Sequence, residues 1–209
     1  MASPSDPWLL VLHGLRLKGF GEPADISAIT GVDETTVSEN LDKAAIDGLV
    51  LRRDGARLSG WTLTADGRTE QERLLRDELA ATGTEAVVHG AYERFLALNK
   101  GLLALCTDWQ MRDETTLNDH SDAEYDAAVV ARLRDQHAAL APILGQLEGA
   151  LERYQRYSDR FERALELLAA GDGDWFTKPM IDSYHTVWFQ LHEDLLNTLG
   201  IERSQEGAH

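Results

Sequence analysis

The sequence predicts a mainly α-helical chain with one β-hairpin in its first third, and three observations carry that prediction. Apolar residues recur at steps of three and four through most of the 209 residues. Glycines stand at the ends of these periodic segments, where a left-handed residue stops a helix. A single stretch, LVLRRDGARLSGWTLT, instead shows short β-branched and alternating runs around the turn signal Asp54-Gly55.

The elements follow in order. Residues 8–18 place Leu9, Val11, Leu12 and Leu15 at helical spacing and stop at Gly19 and Gly21. Pro23 suits a first helical turn, and Ile26 and Ile29 precede the stop at Gly31. Asp33 caps a third helix with Val37, Leu41, Ala44 and Ala45 as its buried stripe, and Gly48 ends it. The hairpin comes next, then an amphipathic helix from Thr64 to Ala81. Beyond Gly83 only helices are expected: residues 84–98, a separate segment after Gly101, and a long one from near Ala123. The last is expected to kink or break at Pro142 and Gly145. Helices around Phe161–Leu168 and Tyr184–Leu199 complete the chain, giving a domain over 1–82 and an all-helical one over 83–209.

Composition narrows the function classes. With 43% hydrophobic residues the chain can bury a core without disulfides, and its single Cys106 excludes a disulfide framework or a Cys-rich zinc module. Cys106 lies on an apolar helical run and reads as a small buried hydrophobe. No apolar run reaches membrane-spanning length and no signal peptide is recognisable, so the expectation is a cytoplasmic protein without a membrane partner. The net charge of -16 repels phosphate backbones unless positive charge is concentrated locally.

Three helices, a hairpin and a further helix are the order of a winged helix-turn-helix domain. Thr36-Val37-Ser38 with Leu41, Gly48-Leu49-Val50, Arg52-Arg53, Leu63-Thr64 and Gly67-Arg68 make the first 80 or so residues resemble MarR-like bacterial transcription regulators. The fold class is therefore mainly α: a winged helix-turn-helix domain, three helices plus a β-hairpin wing, followed by an all-α domain. The resemblance implies that the third helix enters the major groove and the wing touches the backbone. The DNA-contacting candidates are then Thr35, Thr36, Ser38, Asn40, Lys43, Arg52, Arg53 and Arg57. Glu39 departs from the Arg common at that family position. Residues 33–57 hold four basic and six acidic side chains. Residues 1–82 carry a net -5 and 83–209 a net -11, so any attraction to DNA is confined to the wing arginines.

In the helical part, Val129, Leu133, His137, Leu140, Leu144, Leu147, Leu151 and Tyr154 recur at alternating steps of four and three, a stripe that suits either a bundle core or a dimer seam. The densest chemistry lies in SYHTVWFQLHEDLL. Candidate ligand-contacting residues are Trp109, His120, His137, Tyr184, His185, Trp188 and His192, aromatic walls with a few polar groups, against the alternative that they are core. His185 and His192 stand two helical turns apart, too far for one metal ion, and no metal or other cofactor is expected. Asp172 and Asp174 begin like a calcium loop, but Phe176 stands at its fifth position. Phosphate-cradling and hydrolase motifs are missing, so an enzyme is not expected. The expectation is a homodimeric one-component regulator that binds double-stranded DNA and answers to a small-molecule effector. The alternative is an acidic winged-helix module that binds a basic protein and no DNA.

Overall fold

Local capping chemistry accounts for most element boundaries in the computed structural model, which describes residues 2–55 and 59–203. Helix α1 (Pro7–Lys18) starts where the Asp6 carboxylate accepts from Trp8 N–H at 2.8 Å and ends at Gly19, φ 79°. Helix α2 (Pro23–Thr30) ends at Gly31, φ 77°, whose N–H donates to Ser27 O. Helix α3 (Glu34–Ile46) is capped by Asp33, which accepts from Thr36 N–H and its hydroxyl. Strands β1 (Val50–Asp54) and β2 (Ser59–Leu63) pair antiparallel with Val50 opposite Leu63. Gly21 bridges to Trp61 on the other side of β2. Helix α4 (Ala65–Thr82) begins at Thr64, whose hydroxyl accepts from Gly67 N–H and donates to Gly48 O.

This closure explains why the third helix, hairpin and fourth helix carry glycine where they do. Gly48 has φ 76°, which turns the chain from α3 into β1. A Cβ at Gly67 would stand 1.9 Å from Leu49 O, so α4 can meet the start of β1 only with glycine there. Val11, Leu12, Leu15, Ile26, Val37, Leu41, Ala44, Val50, Trp61 and Leu63 form the apolar core of this winged helix.

The rest is helical: α5 (Glu85–Gln110), α6 (Ala123–Ala150), a 3-10 turn (Glu152–Tyr154), α7 (Gln155–Ala169), a short α8 (Asp174–Thr177) and α9 (Tyr184–Leu199). Mainly α, with a winged helix followed by helices, is thus the architecture. A second core joins Val88, Phe95, Leu102, Leu133, Leu144, Phe161, Tyr184 and Leu195. Helix α4 serves both cores, with Leu74 against the first and Leu79 in the second. Among the described residues no helix is long and apolar enough to cross a membrane.

One expected interruption is corrected, and of the kink or break expected at Pro142 the break does not occur. One helix, α5, runs through Gly101 where two were expected. That glycine serves close approach instead: a Cβ there would stand 3.0 Å from Gln136 Oε1, and Gln136 reaches across to donate to Leu98 O at 2.7 Å. Helix α6 likewise continues unbroken past Pro142 to Ala150. Pro142 is exposed, while Leu140, Ile143, Leu144 and Leu147 on either side are buried and hold the helix through the missing hydrogen bond. The heptad-like stripe turns inward: Val129, Leu133, Leu140, Leu144, Leu147, Leu151 and Tyr154 all belong to the second core, which removes them as a dimer seam.

Candidate nucleic-acid interface

Helix α3 buries one side and presents the other. Val37, Leu41 and Ala44 are in the core, while Glu34, Thr35, Glu39, Asp42, Lys43 and Ile46 are exposed, Ile46 at 87%. The outer face therefore carries three carboxylates and one lysine. The predicted polar contacts are largely engaged within the helix. Thr36 donates to the Asp33 carboxylate, Ser38 to Glu34 O, and Asn40 Nδ2 to Thr36 O at 2.7 Å. Lys43 Nζ lies 4.6 Å from the centre of the Trp8 ring, an orientation that a cation over an indole favours.

The wing separates its arginines. Arg52 donates from Nη1 and Nη2 to both oxygens of Glu22 at 3.2 Å and from Nε to Asp54 at 3.0 Å. Its charge is thus matched twice before any phosphate arrives, by a partner that precedes α2 in the chain while Arg52 follows α3, a pairing that residue order does not reveal. Arg53 is exposed next to it on β1. Arg57 lies outside the described residues.

The seven ligand candidates fall into three places. Trp109 stacks on Phe176, 4.7 Å away and nearly parallel, and meets His120 at 4.6 Å with the rings tilted by 43°. Trp109 and His120 border an open cleft with Asp126, Gly173 and Lys178. His120 has φ 59° and its Nδ1 stands 2.9 Å from Asp126. His137 and Tyr184 meet elsewhere, with Nδ1 3.3 Å from the phenol oxygen of a fully buried Tyr184. Burial holds the His137 imidazole below its ordinary value against the opposing pull of Glu162. His185, Trp188 and His192 border a second hollow, of about 230 Å³, with Asn99, Leu103 and Phe189, and the Trp188 ring lies 6.3 Å from that of Tyr184. Trp188 Nε1 donates to Asn99 Oδ1 at 2.9 Å, and burial lowers the His185 imidazole too. No single cavity collects all seven. Among the described residues no group of three or more His, Cys, Asp or Glu is placed to hold a metal ion.

The most developed polar cluster was not legible in the sequence. It lies where α1 and α4 of the winged helix meet the 3-10 turn, α7 and α9. Asp194 accepts from Arg153 Nη1, from Tyr157 OH at 2.9 Å and from Thr198 Oγ1 at 3.1 Å, and His13 Nε2 stands 3.0 Å away. Arg153 also donates from Nε to Glu78 at 3.1 Å and from Nη2 to Thr198 at 2.7 Å. Gln71 Nε2 lies 2.9 Å from His13 Nδ1. Burial by itself would raise the Asp194 carboxyl, but Arg153 and then His13 pull it well below the usual carboxylate range. Burial pushes the Tyr157 phenol far up, which keeps it a neutral donor. Arg16 adds a further tie, donating from Nε to Asn197 Oδ1 at 3.0 Å. Compared with protein-family models, curated proteins and solved structures, the chain matches none of them.

Proposed function

We propose that the chain is a one-component transcriptional regulator whose winged helix binds double-stranded DNA and whose helical part dimerises and responds to a small-molecule effector. The observation that carries this reading is the outer face of α3, whose Glu34, Thr35, Glu39, Asp42, Lys43 and Ile46 stand exposed near the exposed residues 51–54 of β1. Attraction to phosphates rests on Arg53, Lys43 and, by sequence, Arg57. Because the slope of affinity against salt counts neutralised phosphates, binding is weak and its slope shallow. The decisive experiment is a titration with duplex DNA from the region upstream of its own coding sequence at low salt. It is repeated with Arg52, Arg53 and Arg57 changed to alanine. Saturable binding that the triple change abolishes supports the regulator. Gel filtration giving a strict monomer at micromolar concentration would remove the dimeric part of the reading.

One observation favours a second reading. Arg52 is held by Glu22 and Asp54, and the face of α3 carries Glu34, Glu39 and Asp42 around an exposed Ile46. A surface of that kind is suited to a basic protein partner. Absence of DNA binding at low salt, or binding indifferent to all three arginines, selects this alternative.

A further inference from the structure

The helix-turn-helix is gripped from outside by one arginine of the helical part. Helix α2 has no basic residue in its last turn, although its final carbonyls carry the negative end of the helix dipole. The carbonyl of Ala28 would ordinarily accept from Val32 N–H, four residues on, but that N–H goes instead to Thr30 Oγ1 at 3.3 Å. Arg156 Nη2, from the first turn of α7, donates to Ala28 O at 3.0 Å and completes the end of α2 from 128 residues away. The side chain reaches that carbonyl over Gly31, where a Cβ would come within 3.0 Å of Arg156 Cδ and Nη1. Gly31 thus suits the turn by its φ of 77°, and its missing Cβ leaves a notch that gives Arg156 room to reach the carbonyl.

The origin of Arg156 matters as much as its target. It follows by three residues Arg153, the centre of the buried cluster with Glu78 and Asp194. The same corner is pinned to the N-terminal segment, since Ser3 N–H donates to Ala150 O at 3.1 Å and Glu152 N–H to Ser3 O at 3.0 Å. The α6–α7 corner thus touches the winged helix at its N-terminus, at α1 and α4, and at the turn between α2 and α3.

The geometry points to Arg156 as a positioning residue that fixes the α2–α3 turn, so that the α6–α7 corner, and not α4 alone, sets the angle of α3. The consequence for DNA rests on the regulator reading; the fixing of the turn does not. Hydrogen exchange on the full chain separates the two. In R156A the amides of Gly31 and Val32 exchange about tenfold faster, the loss of one partly screened charged hydrogen bond, while Leu12 and Leu15 in α1 keep their protection. R156K, which keeps a donor of similar reach, restores most of it. Unchanged exchange at the turn, or an equal rise in α1 and α9, overturns the proposal. A second measurement reads the notch: G31A lowers the melting temperature less in an R156A background than in the wild type. Equal losses in both backgrounds also overturn it. If the wild-type chain bound no DNA, the regulator reading would fall while the exchange result stood.

Discussion

His13 in α1 and Asp194 in α9 stand 3.0 Å apart with both side chains at most 4% exposed, and this contact joins the winged helix to the helical part. A carboxylate so deeply buried is tolerated only because Arg153, Tyr157 and Thr198 also donate to it. Removing it leaves Arg153 with only Glu78 as a counter-charge. Asp194→Ala is expected to cost about 3–5 kcal/mol, the usual penalty for breaking a buried ion pair from one side. Urea unfolding of the two proteins checks this; a loss below about 1 kcal/mol would mean that water reaches the cluster.

The depressed Asp194 carboxyl also sets a pH dependence. Its folded value lies below the unfolded one, so its contribution is present above about pH 4 and disappears as the pH falls further. His137 and His185 act in a higher window. Burial lowers both imidazoles, so the unfolded chain takes up protons first, near pH 6.5. Their contribution is present above that value and declines as the pH falls through it. Melting temperature is expected to drop between about pH 7.5 and 5.5, and less so in a His137→Gln, His185→Gln double variant. Parallel profiles for the two proteins would sink the assignment.

Glu22 is expected to restrain Arg52. Glu22→Gln keeps the side-chain length at the start of α2 but removes the charge that Arg52 faces. If the regulator reading holds, this change strengthens DNA binding, and Arg53→Ala weakens it and lowers the salt slope by about one. Fluorescence anisotropy at three salt concentrations reads both effects. Opposite signs would place DNA on another surface.

Two glycines of α4 and α5 are expected to respond in opposite ways to alanine. Gly67→Ala drives a methyl group into Leu49 O, so overpacking costs about 3 kcal/mol or more unless α4 shifts. Gly90→Ala, in the second turn of α5 with open space where a Cβ would go, gains about 0.5–1 kcal/mol of helix propensity. Thermal melts of the two variants make the comparison.

Cys106 is expected to be inert in the folded protein. Burial pushes its thiol up to about 12, so almost no thiolate exists at neutral pH. Labelling with a disulfide reagent is expected only on unfolding, at the rate of that transition. Rapid labelling of the native protein would contradict the burial of this part of α5.

Much of the fold was legible because it is written locally. Asp6, Asp33, Thr64 and Ser183 each cap a helix by accepting an N–H two or three residues ahead, and Gly19, Gly31 and Gly83 end helices with a left-handed residue. Such interactions span a few residues, so residue order alone reveals α1 to α4, the hairpin and the limits of α9. The sequence could equally show that positive charge near the wing is scarce. What lay beyond it was every feature made by residues far apart in the chain. Gly101 read as a stop, but Gln136 packs over it and α5 continues. Arg52 read as free, but Glu22 folds against it. The seven aromatic and histidine candidates read as one site, but α5, the loop that follows it, α6 and α9 carry them to three places. His13, Glu78, Arg153 and Asp194 gave no signal, since one ionisable residue on a helix face looks like any other until packing removes its water. The sequence by itself therefore determined the first four helices, the hairpin, the last helix and the acidity of α3. Only tertiary structure decided which charges are spent on one another, because burial and pairing depend on distances that residue order does not contain.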